Sequence, residues 1–589
     1  MKTSNGVNKQ KIFSLKIGGY AGQGVKAAGL MFAKVATRSG FNIYDYIEYP
    51  SLIRGGHNVI QICVSSETVT APSQKTDLLI AFNQDTVNKH ASELLPGAGL
   101  MFDEADKLDI SKVNKKVEIY RVPFAELTRE SGGKKLMGNT VAIGATIALL
   151  GGDLEILKNL ITDEFKNKGA GVVAADHKAA ESGYNYVKEN FSKNVKKNLA
   201  LQKNAPAKMI VTGNEAVALG AIAAGLEFAA IYPMSPITNI LHTLAAYQEK
   251  FGYIYKQPED EISAINMAIG ASFAGARSMT ATSGGGFCLM TEGFGLAGMT
   301  ETPVVIINGM RGGPATGLPT WSEQGDLRFA LHAHQGDFPR IVLAAGDAKE
   351  AFDLTMQAFN LADKYQTPVA LLIDKNICEN DQSFPFFDIS SYRIDRGKFI
   401  TKKQDAYQRY APTKDGISVR TVPGSGNHFI ANSDEHDLIG YSTEEISDRN
   451  VQMEKRMLKL KTCAGQDMPA PIIFGPAKAD LTIVSWGSNK GSILEAIKNY
   501  KNVNFLHLTW LSPFPTEVVK KILSRAKKVI DIEANYSAQL RGLIKEQTGL
   551  EIKDTLLKYD GRPFSPEEIR EKIDILTKVR NRTKIRNRT

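Results

Sequence analysis

The sequence predicts a multidomain α/β protein, and three observations carry that expectation. A chain of 589 residues exceeds what one hydrophobic core can serve and corresponds to about three to four domains. Short apolar runs of strand character, among them IFSLKIG, TPVVIIN, PVALLID and LTIVSWG, alternate with segments of helical period. Gly- and Pro-bearing turns separate them, within a composition of 43% hydrophobic and 23% charged residues that is ordinary for a globular protein.

Taken in order, residues 12–18 form a first strand. Gly18, Gly19, Gly22 and Gly24 make a glycine-rich turn before a helix over 25–39, closed by Gly40, and FNIYDY is the next strand. Gly22, Gly24 and Ala27 fit a loose G-x-G-x-x-A dinucleotide pattern, with Asp45 and Glu48 about 20 residues on, where an acid meets a ribose. The same glycines serve equally as a tight structural turn. Arg54, ahead of two glycines in EYPSLIRGGH, suits either a phosphate contact or a surface turn. Strands VIQICV and DLLIAF and helices over 85–94 and 138–150 fill the first domain to about residue 190. The basic, polar stretch that follows reads as a linker.

A second α/β domain begins at Met209, with Asn214 as N-cap of a helix over 215–227, a strand FAAIY, and the turn Tyr232-Pro-Met-Ser-Pro-Ile-Thr238. Two prolines three apart stiffen that turn and hold the hydroxyls of Ser235 and Thr238 in place. TPVVIIN leads into GMRGGPATGLPT, where Arg311 stands among small and kinked residues. Its forked guanidinium suits a planar carboxylate, and a solvated turn arginine is the plainer alternative. His332 and His334 would share one strand face, without a Cys or acidic partner at ligand spacing. PVALLID closes this domain near residue 374. The polar, irregular stretch to about residue 471 reads as a connector, with apolar period only over 451–461. A third α/β unit follows: LTIVSWG, a helix over 492–500, VNFLHL, a helix over 515–524, KVIDIE and a helix over 537–548. The repeat KVRNRT, KIRNRT ends the chain as a cationic tail.

Composition also excludes. The net charge of +9 owes six of its positive charges to residues 577–589, which hold no acid, so the body is close to neutral and a nucleic-acid partner is not expected. The longest apolar run, over 216–230, is interrupted by Glu227 and glycines, and no membrane span is expected. The first residues contain no apolar signal segment, from which a cytoplasmic location is expected. Cys63, Cys288, Cys378 and Cys463 form no C-x-x-C pair, which argues against a zinc ribbon or a cluster held by this chain alone.

The stretch over 257–286, QPEDEISAINMAIGASFAGARSMTATSGGG, is the candidate centre. Glu261 heads a helix whose small residues, Ala264, Ala268, Gly270, Ala271, Ala274 and Gly275, let a flat group approach the backbone. Pro258 and the acids at 259–261 also match ordinary helix-start chemistry.

Together the blocks YPMSPIT, EDEISAINMAIGASFAG, TSGGGFCLM, RGGPATGLPT with EQGDL, DGISVR, and SWGSNKG with IEANYSAQL resemble the alpha subunit of 2-oxoacid:ferredoxin oxidoreductases. GGYAGQG and EYPSLIRGGH resemble the gamma subunit of that family, fused at the N-terminus. Departures are small: Ser235 replaces a threonine, TSGGG replaces TSGPG, and Ser418-Val419-Arg420 replaces SPR. The resemblance implies a gamma-type α/β domain over 1–190, a linker over 191–208, a thiamine-pyrimidine-type α/β domain over 209–376, a connector over 377–470, a transketolase-C-like α/β domain over 471–570 and a basic tail over 571–589.

The resemblance further implies oxidative decarboxylation of a 2-oxoacid to acyl-CoA with reduction of ferredoxin, using thiamine diphosphate and coenzyme A. Glu261 matches the carboxyl that exchanges a proton with the aminopyrimidine ring, Tyr232 and Pro233 match cofactor contacts, and Ser235, Arg311 and Thr320 match the substrate-carboxylate site. The sequence contains no G-D-G motif for magnesium and diphosphate. A beta subunit is therefore expected to carry magnesium, the diphosphate site and an iron-sulfur cluster. 2-Oxoglutarate is the favoured substrate because the gamma-alpha fusion resembles that branch; pyruvate, a branched-chain 2-oxoacid, or a nicotinamide enzyme built on the first glycine turn are the alternatives, and a non-catalytic scaffold would have lost Glu261 or Arg311.

Overall fold

The computed structural model describes residues 12–52, 55–196, 198–202 and 204–577. Arg54 and the cationic repeats after Thr577 lie outside the described residues. The chain divides into two compact units, the first running to Val211 and adding Asn380–Phe387 and Ser565–Glu567, the second holding the remainder.

The first unit is built on an eight-stranded sheet, in the order Glu118–Arg121, Leu94–Phe102, Thr76–Ala81, Phe13–Tyr20, His57–Ser65, Asn42–Glu48, Gln382–Phe384, Met209–Val211. The first four strands run parallel, and the pairs from Phe13–Tyr20 onward are antiparallel. Leu15 and Ile17 alternate into a core shared with Phe32, Val141 and Ala180. Helix Val25–Arg38 starts behind Gly22 and Gly24, whose φ angles of 89° and 71° favour glycine. Helices Gly138–Leu149 and Ala170–Asn190 cross at backbone contact, since a Cβ on Gly144 would lie 2.1 Å from the Ala180 carbonyl oxygen.

Three expectations shift in this unit. Met209–Val211 pairs with Gln382–Phe384 as the edge of the first sheet rather than opening the second domain. The connector therefore supplies a strand of its own, through Gln382 opposite Tyr44. The 191–208 stretch is no free tether, because Leu199 is buried in the core and its N–H donates to the Leu150 carbonyl.

The second unit contains a seven-stranded sheet in the order Trp510–Ser512, Ile341–Ala344, Pro368–Asp374, Val304–Met310, Ser278–Thr282, Phe228–Ala230, Ile254–Lys256. All neighbours are parallel except the edge strand Trp510–Ser512. A five-stranded sheet, Ile472–Phe474, Val503–Leu508, Leu481–Trp486, Val529–Glu533, Asp554–Leu557, shares one apolar cluster with it, in which Phe287 and Ile306 meet Trp486 and Leu540. The residues over 327–332 form a helix, not a strand, so His332 and His334 do not share a strand face.

Buried ion pairs hold the irregular connector. Glu301 meets Lys455 at 2.6 Å and Lys459 at 2.5 Å, both lysines lying on helix Ile446–Gln466. Burial would raise the Glu301 carboxyl, and Lys455, Lys459 and Arg409 overcome it and hold it well below the usual range. Asp363 takes Arg277 at 2.7 Å and Arg420 of DGISVR at 2.6 Å. Among the described residues no helix is long and apolar enough to cross a membrane.

Candidate active site

Four neighbouring parallel strands of the seven-stranded sheet end at one edge: Ile254–Lys256, Phe228–Ala230, Ser278–Thr282 and Val304–Met310. The carboxyl ends of such strands are where an open α/β sheet leaves a crevice. The segments leaving them are the Glu261 helix, the Tyr232–Thr238 turn, Ser283 with the start of helix Gly284–Met299, and the Arg311 loop.

Glu261 is the first residue of helix Glu261–Phe273 and is 3% exposed. The helix start is capped by Asp260, whose carboxylate accepts the Ser263 N–H at 2.7 Å. Glu261 is thus released from capping, and its Oε1 is buried with no protein partner. That oxygen faces Gly286, where a Cβ would lie 2.6 Å from it and 2.0 Å from Thr282 Oγ1. A buried carboxylate oxygen without a donor costs several kcal/mol in a closed fold, so this acid fits a group that supplies the missing hydrogen bond. The aminopyrimidine of thiamine diphosphate, a flat ring with exchangeable protons, matches the donor this acid lacks.

The turn over 232–238 is pinned from two sides. Asn214 does not cap its helix; Thr212 and Glu215 form a capping box there, and the Asn214 amide instead donates to the Pro236 carbonyl at 2.8 Å. A Cβ on Gly309 would strike Ile237 at 2.3 Å, so the strand end underneath must be glycine. Arg311 Nη1 donates to the Ser235 carbonyl oxygen at 2.7 Å, so these two residues meet through backbone rather than through the serine hydroxyl. Burial lowers the Arg311 pKa, against the opposing charge of Asp326. Thr320 is 5% exposed with its Oγ1 unpartnered, beneath a loop closed by the Leu318 N–H to Gly312 O bond of 2.7 Å. Tyr232 and Pro233 are half-buried at the start of the turn. Ser235 and Arg311 are therefore brought together and Glu261 stands at the same sheet edge, while no hydrogen bond joins Thr320, Tyr232 or Pro233 to them among the described residues.

Sequence reasoning passed over Asp326, Asn308, Ser283 and Gly286. Asn308 Nδ2 donates to Asp326 Oδ2 at 3.1 Å, while Asn308 Oδ1 and Ser283 Oγ are buried without partners. The signal was EQGDL itself. Its Gln324 accepts from Asn489 at 2.8 Å and from the Ala534 N–H at 2.9 Å, and donates to the Trp486 carbonyl at 2.8 Å. Gln539 accepts from the Arg328 N–H at 2.8 Å and donates to the Gly325 carbonyl at 2.7 Å. SWGSNKG and IEANYSAQL thus serve as the clamp on the segment over 324–328.

The first unit offers the nicotinamide reading no free acid at Asp45. Asp45 is 2% exposed, and its Oδ1 accepts the Asp381 N–H at 2.6 Å, inside the junction with the connector strand. Among the described residues no group of three or more His, Cys, Asp or Glu side chains is arranged to hold a metal ion.

Three family models match successive regions of the chain. Pyruvate ferredoxin/flavodoxin oxidoreductase matches residues 14–186. The thiamine diphosphate-binding model of pyruvate flavodoxin/ferredoxin oxidoreductase matches 219–455, and core domain II of pyruvate:ferredoxin oxidoreductase matches 479–569. The 2-oxoacid:ferredoxin oxidoreductase subunit alpha of Sulfolobus sp is 33% identical over 614 residues, covering 94% of this chain and 95% of the relative. The 2-oxoglutarate oxidoreductase subunit KorA of Mycobacterium tuberculosis is 28% identical, over 94% and 90%. The solved structure of 2-oxoglutarate:ferredoxin oxidoreductase from Magnetococcus marinus, with 2-oxoglutarate, coenzyme A and succinyl-CoA bound, is 31% identical with a TM-score of 0.91, covering 96% of this chain and 99% of that one. With the sheet edge, its buried acid and near end-to-end similarity in agreement, the chain belongs to the 2-oxoacid:ferredoxin oxidoreductase family, as an alpha subunit carrying the additional domain at its N-terminus.

Proposed function

We propose that this subunit holds the pyrimidine half of thiamine diphosphate in an enzyme that oxidatively decarboxylates a 2-oxoacid, 2-oxoglutarate first, to acyl-CoA and carbon dioxide while reducing ferredoxin. The observation that carries the reading is the buried, unpartnered Oε1 of Glu261 opposite Gly286. When bound, thiamine diphosphate supplies a nucleophilic ring carbon and an electron sink for loss of carbon dioxide. Glu261 exchanges a proton with the pyrimidine nitrogen, and its burial keeps water from competing for it. Gly286, having no side chain, leaves the Glu261 carboxyl in its place, and Tyr232 and Pro233 line the ring. Arg311 holds the substrate carboxylate with the hydroxyls of Ser235 and Thr320, the Thr320 Oγ1 being free to donate.

Coenzyme A is the co-substrate. The absence of G-D-G and C-x-x-C from the sequence supports a beta subunit that carries magnesium, the diphosphate site and the iron-sulfur exit to ferredoxin. The names of the mycobacterial relative and of the Magnetococcus structure support 2-oxoglutarate; the pyruvate wording of the family models makes pyruvate the second choice. The test is dye or ferredoxin reduction by the complex assembled with its partner subunit, run with each 2-oxoacid in turn. Glu261→Gln keeps the shape and removes the exchangeable proton, and turnover is expected to fall by at least ~100-fold. Near-normal turnover of that variant would return Glu261 to the status of a helix-start acid.

A further inference from the structure

The direction of the Arg311 guanidinium is set by its neighbours. Arg311 follows strand Val304–Met310, and its Nη1 donates to the Ser235 carbonyl oxygen at 2.7 Å, the one hydrogen bond its guanidinium makes among the described residues. A guanidinium carries five N–H donors in a rigid fork, so the carbonyl that takes one of them fixes where the others point. The next carbonyl along the chain, that of Pro236, accepts the Asn214 Nδ2 at 2.8 Å. Two consecutive peptide carbonyls are thus held by two side chains, one from a strand end and one from the first turn of helix Gly213–Ala223. Asn214 is fully buried, and Thr212 and Glu215 cap its helix, which leaves the amide free for the turn. The helix beneath it rests on backbone: a Cβ on Gly213 would lie 2.4 Å from the Ile377 carbonyl oxygen, and one on Gly220 2.6 Å from the Phe352 carbonyl oxygen. Gly309, two residues before Arg311, lies against the same turn, where its Cβ would stand 2.3 Å from Ile237 and 3.3 Å from Pro236.

We infer that Asn214 is a positioning residue for substrate recognition: by holding the Pro236 carbonyl it fixes the Ser235 carbonyl against which Arg311 is oriented, and with it the fork that meets the carboxylate of the 2-oxoacid. The inference rests on the proposal that Arg311 holds that carboxylate. The effect passes through the Ser235–Pro236 peptide and needs no contact between Asn214 and the substrate. Without the Asn214 amide the buried Pro236 carbonyl loses its donor, and the segment shifts to find another. The Ser235 carbonyl moves with it, the guanidinium follows, and the two parallel hydrogen bonds to a planar carboxylate no longer align. Tyr232 and Pro233, assigned to the cofactor, stand at the other end of the turn, so binding of thiamine diphosphate does not depend on the Asn214 bond.

The experiment is a double-mutant cycle on the complex assembled with its partner subunit, in which kcat and KM for 2-oxoglutarate are measured by dye reduction for Asn214→Ala, Arg311→Ala and the double variant, together with thiamine diphosphate affinity. Arg311→Ala is expected to lower kcat/KM by roughly 30-fold or more. Asn214→Ala is expected to raise KM by about tenfold, the scale of one lost buried hydrogen bond, with kcat and thiamine diphosphate affinity near wild type. In the double variant the Asn214 change is expected to add less than about twofold to the Arg311→Ala loss, because the group it positions is gone. A purely structural asparagine would instead give losses that multiply. If the losses do multiply, or if Asn214→Ala acts on kcat or on thiamine diphosphate affinity in place of KM, the coupling is wrong while the substrate reading of Arg311 stands. If Arg311→Ala alone is near normal, the substrate reading fails and the inference with it. If neither Asn214→Ala nor the milder Asn214→Ser assembles with the partner subunit, Asn214 serves folding rather than recognition, and the inference is overturned.

Discussion

Adding one methyl group at Gly286 tests whether the placement of the Glu261 carboxyl serves the chemistry proposed for it. Gly286 lies in a helix without a positive φ, so Gly286→Ala brings no backbone strain, and any cost must come from contact. The new Cβ would stand 2.0 Å from Thr282 Oγ1 and 2.6 Å from Glu261 Oε1, where ordinary contact begins at 3.4 Å. Thr282 must yield by about 1.4 Å (3.4 − 2.0) and the Glu261 carboxyl by about 0.8 Å (3.4 − 2.6). Thr282 is β-branched, fully buried and on an interior strand, so it resists, while the longer Glu261 side chain gives way. Overpacking of this kind costs about 1–3 kcal/mol of stability. Displacing a proton-transfer group by close to an ångström costs on the order of 100-fold in rate. Thermal melts of the variant, thiamine diphosphate affinity and dye reduction by the assembled complex separate the two effects. The expected result is a modest loss of stability with a large loss of turnover and cofactor affinity. A variant that is folded, binds the cofactor normally and turns over within about twofold of wild type would refute the role proposed for Glu261, since the displacement worked out above predicts far more.

Two further predictions concern the connector. Glu301→Gln leaves Lys455 and Lys459 buried without their counter-charge, and the chain is expected to lose about 3–5 kcal/mol in urea unfolding; a change under ~0.5 kcal/mol would mean the lysines find other acceptors. Burial alone would raise Glu435, but Arg456 and Arg449 overcome it and bring its pKa down to about 2 from 4.5. Its contribution to stability is therefore present above the unfolded value of 4.5 and is lost as pH falls toward about 2. Melting temperatures across acid pH should show a limb that Glu435→Gln lacks, and identical profiles for the two proteins would remove Glu435 as its source.

Much of the site was legible because its parts are local. Glu261 at a helix head, Arg311 among small residues and the stiff Tyr232–Thr238 turn are each visible within a dozen residues, and each lies where a parallel strand ends. What could not be read was which neighbour relieves which duty. Asp260 and Glu261 are equivalent as helix-start acids in sequence; only the folded chain shows that Asp260 caps and that Glu261 is left buried and unpartnered. Asn214 has the composition of a cap, yet Thr212 takes that place and Asn214 braces the proline turn. Asp326 sat in a motif that was noticed but given no work, because its partners Asn308 and Gly284 lie on other strands and helices.

By itself the sequence determined the α/β class, the glycine turn behind the first strand and some of the apolar strand runs in each of the three sheets. Hydrophobic period and turn chemistry are written in short windows, and burial of the resulting faces follows from them. The tertiary structure alone decided that Met209–Val211 and Gln382–Phe384 complete the first sheet, and that SWGSNKG and IEANYSAQL clamp the segment over 324–328. The bonds concerned span separations such as the 340 residues between Ile43 and Ser383 and the 214 between Gly325 and Gln539. A hydrogen bond at that distance leaves no period in the sequence, because each partner is chosen by where the sheets bring the backbone rather than by its neighbours along the chain.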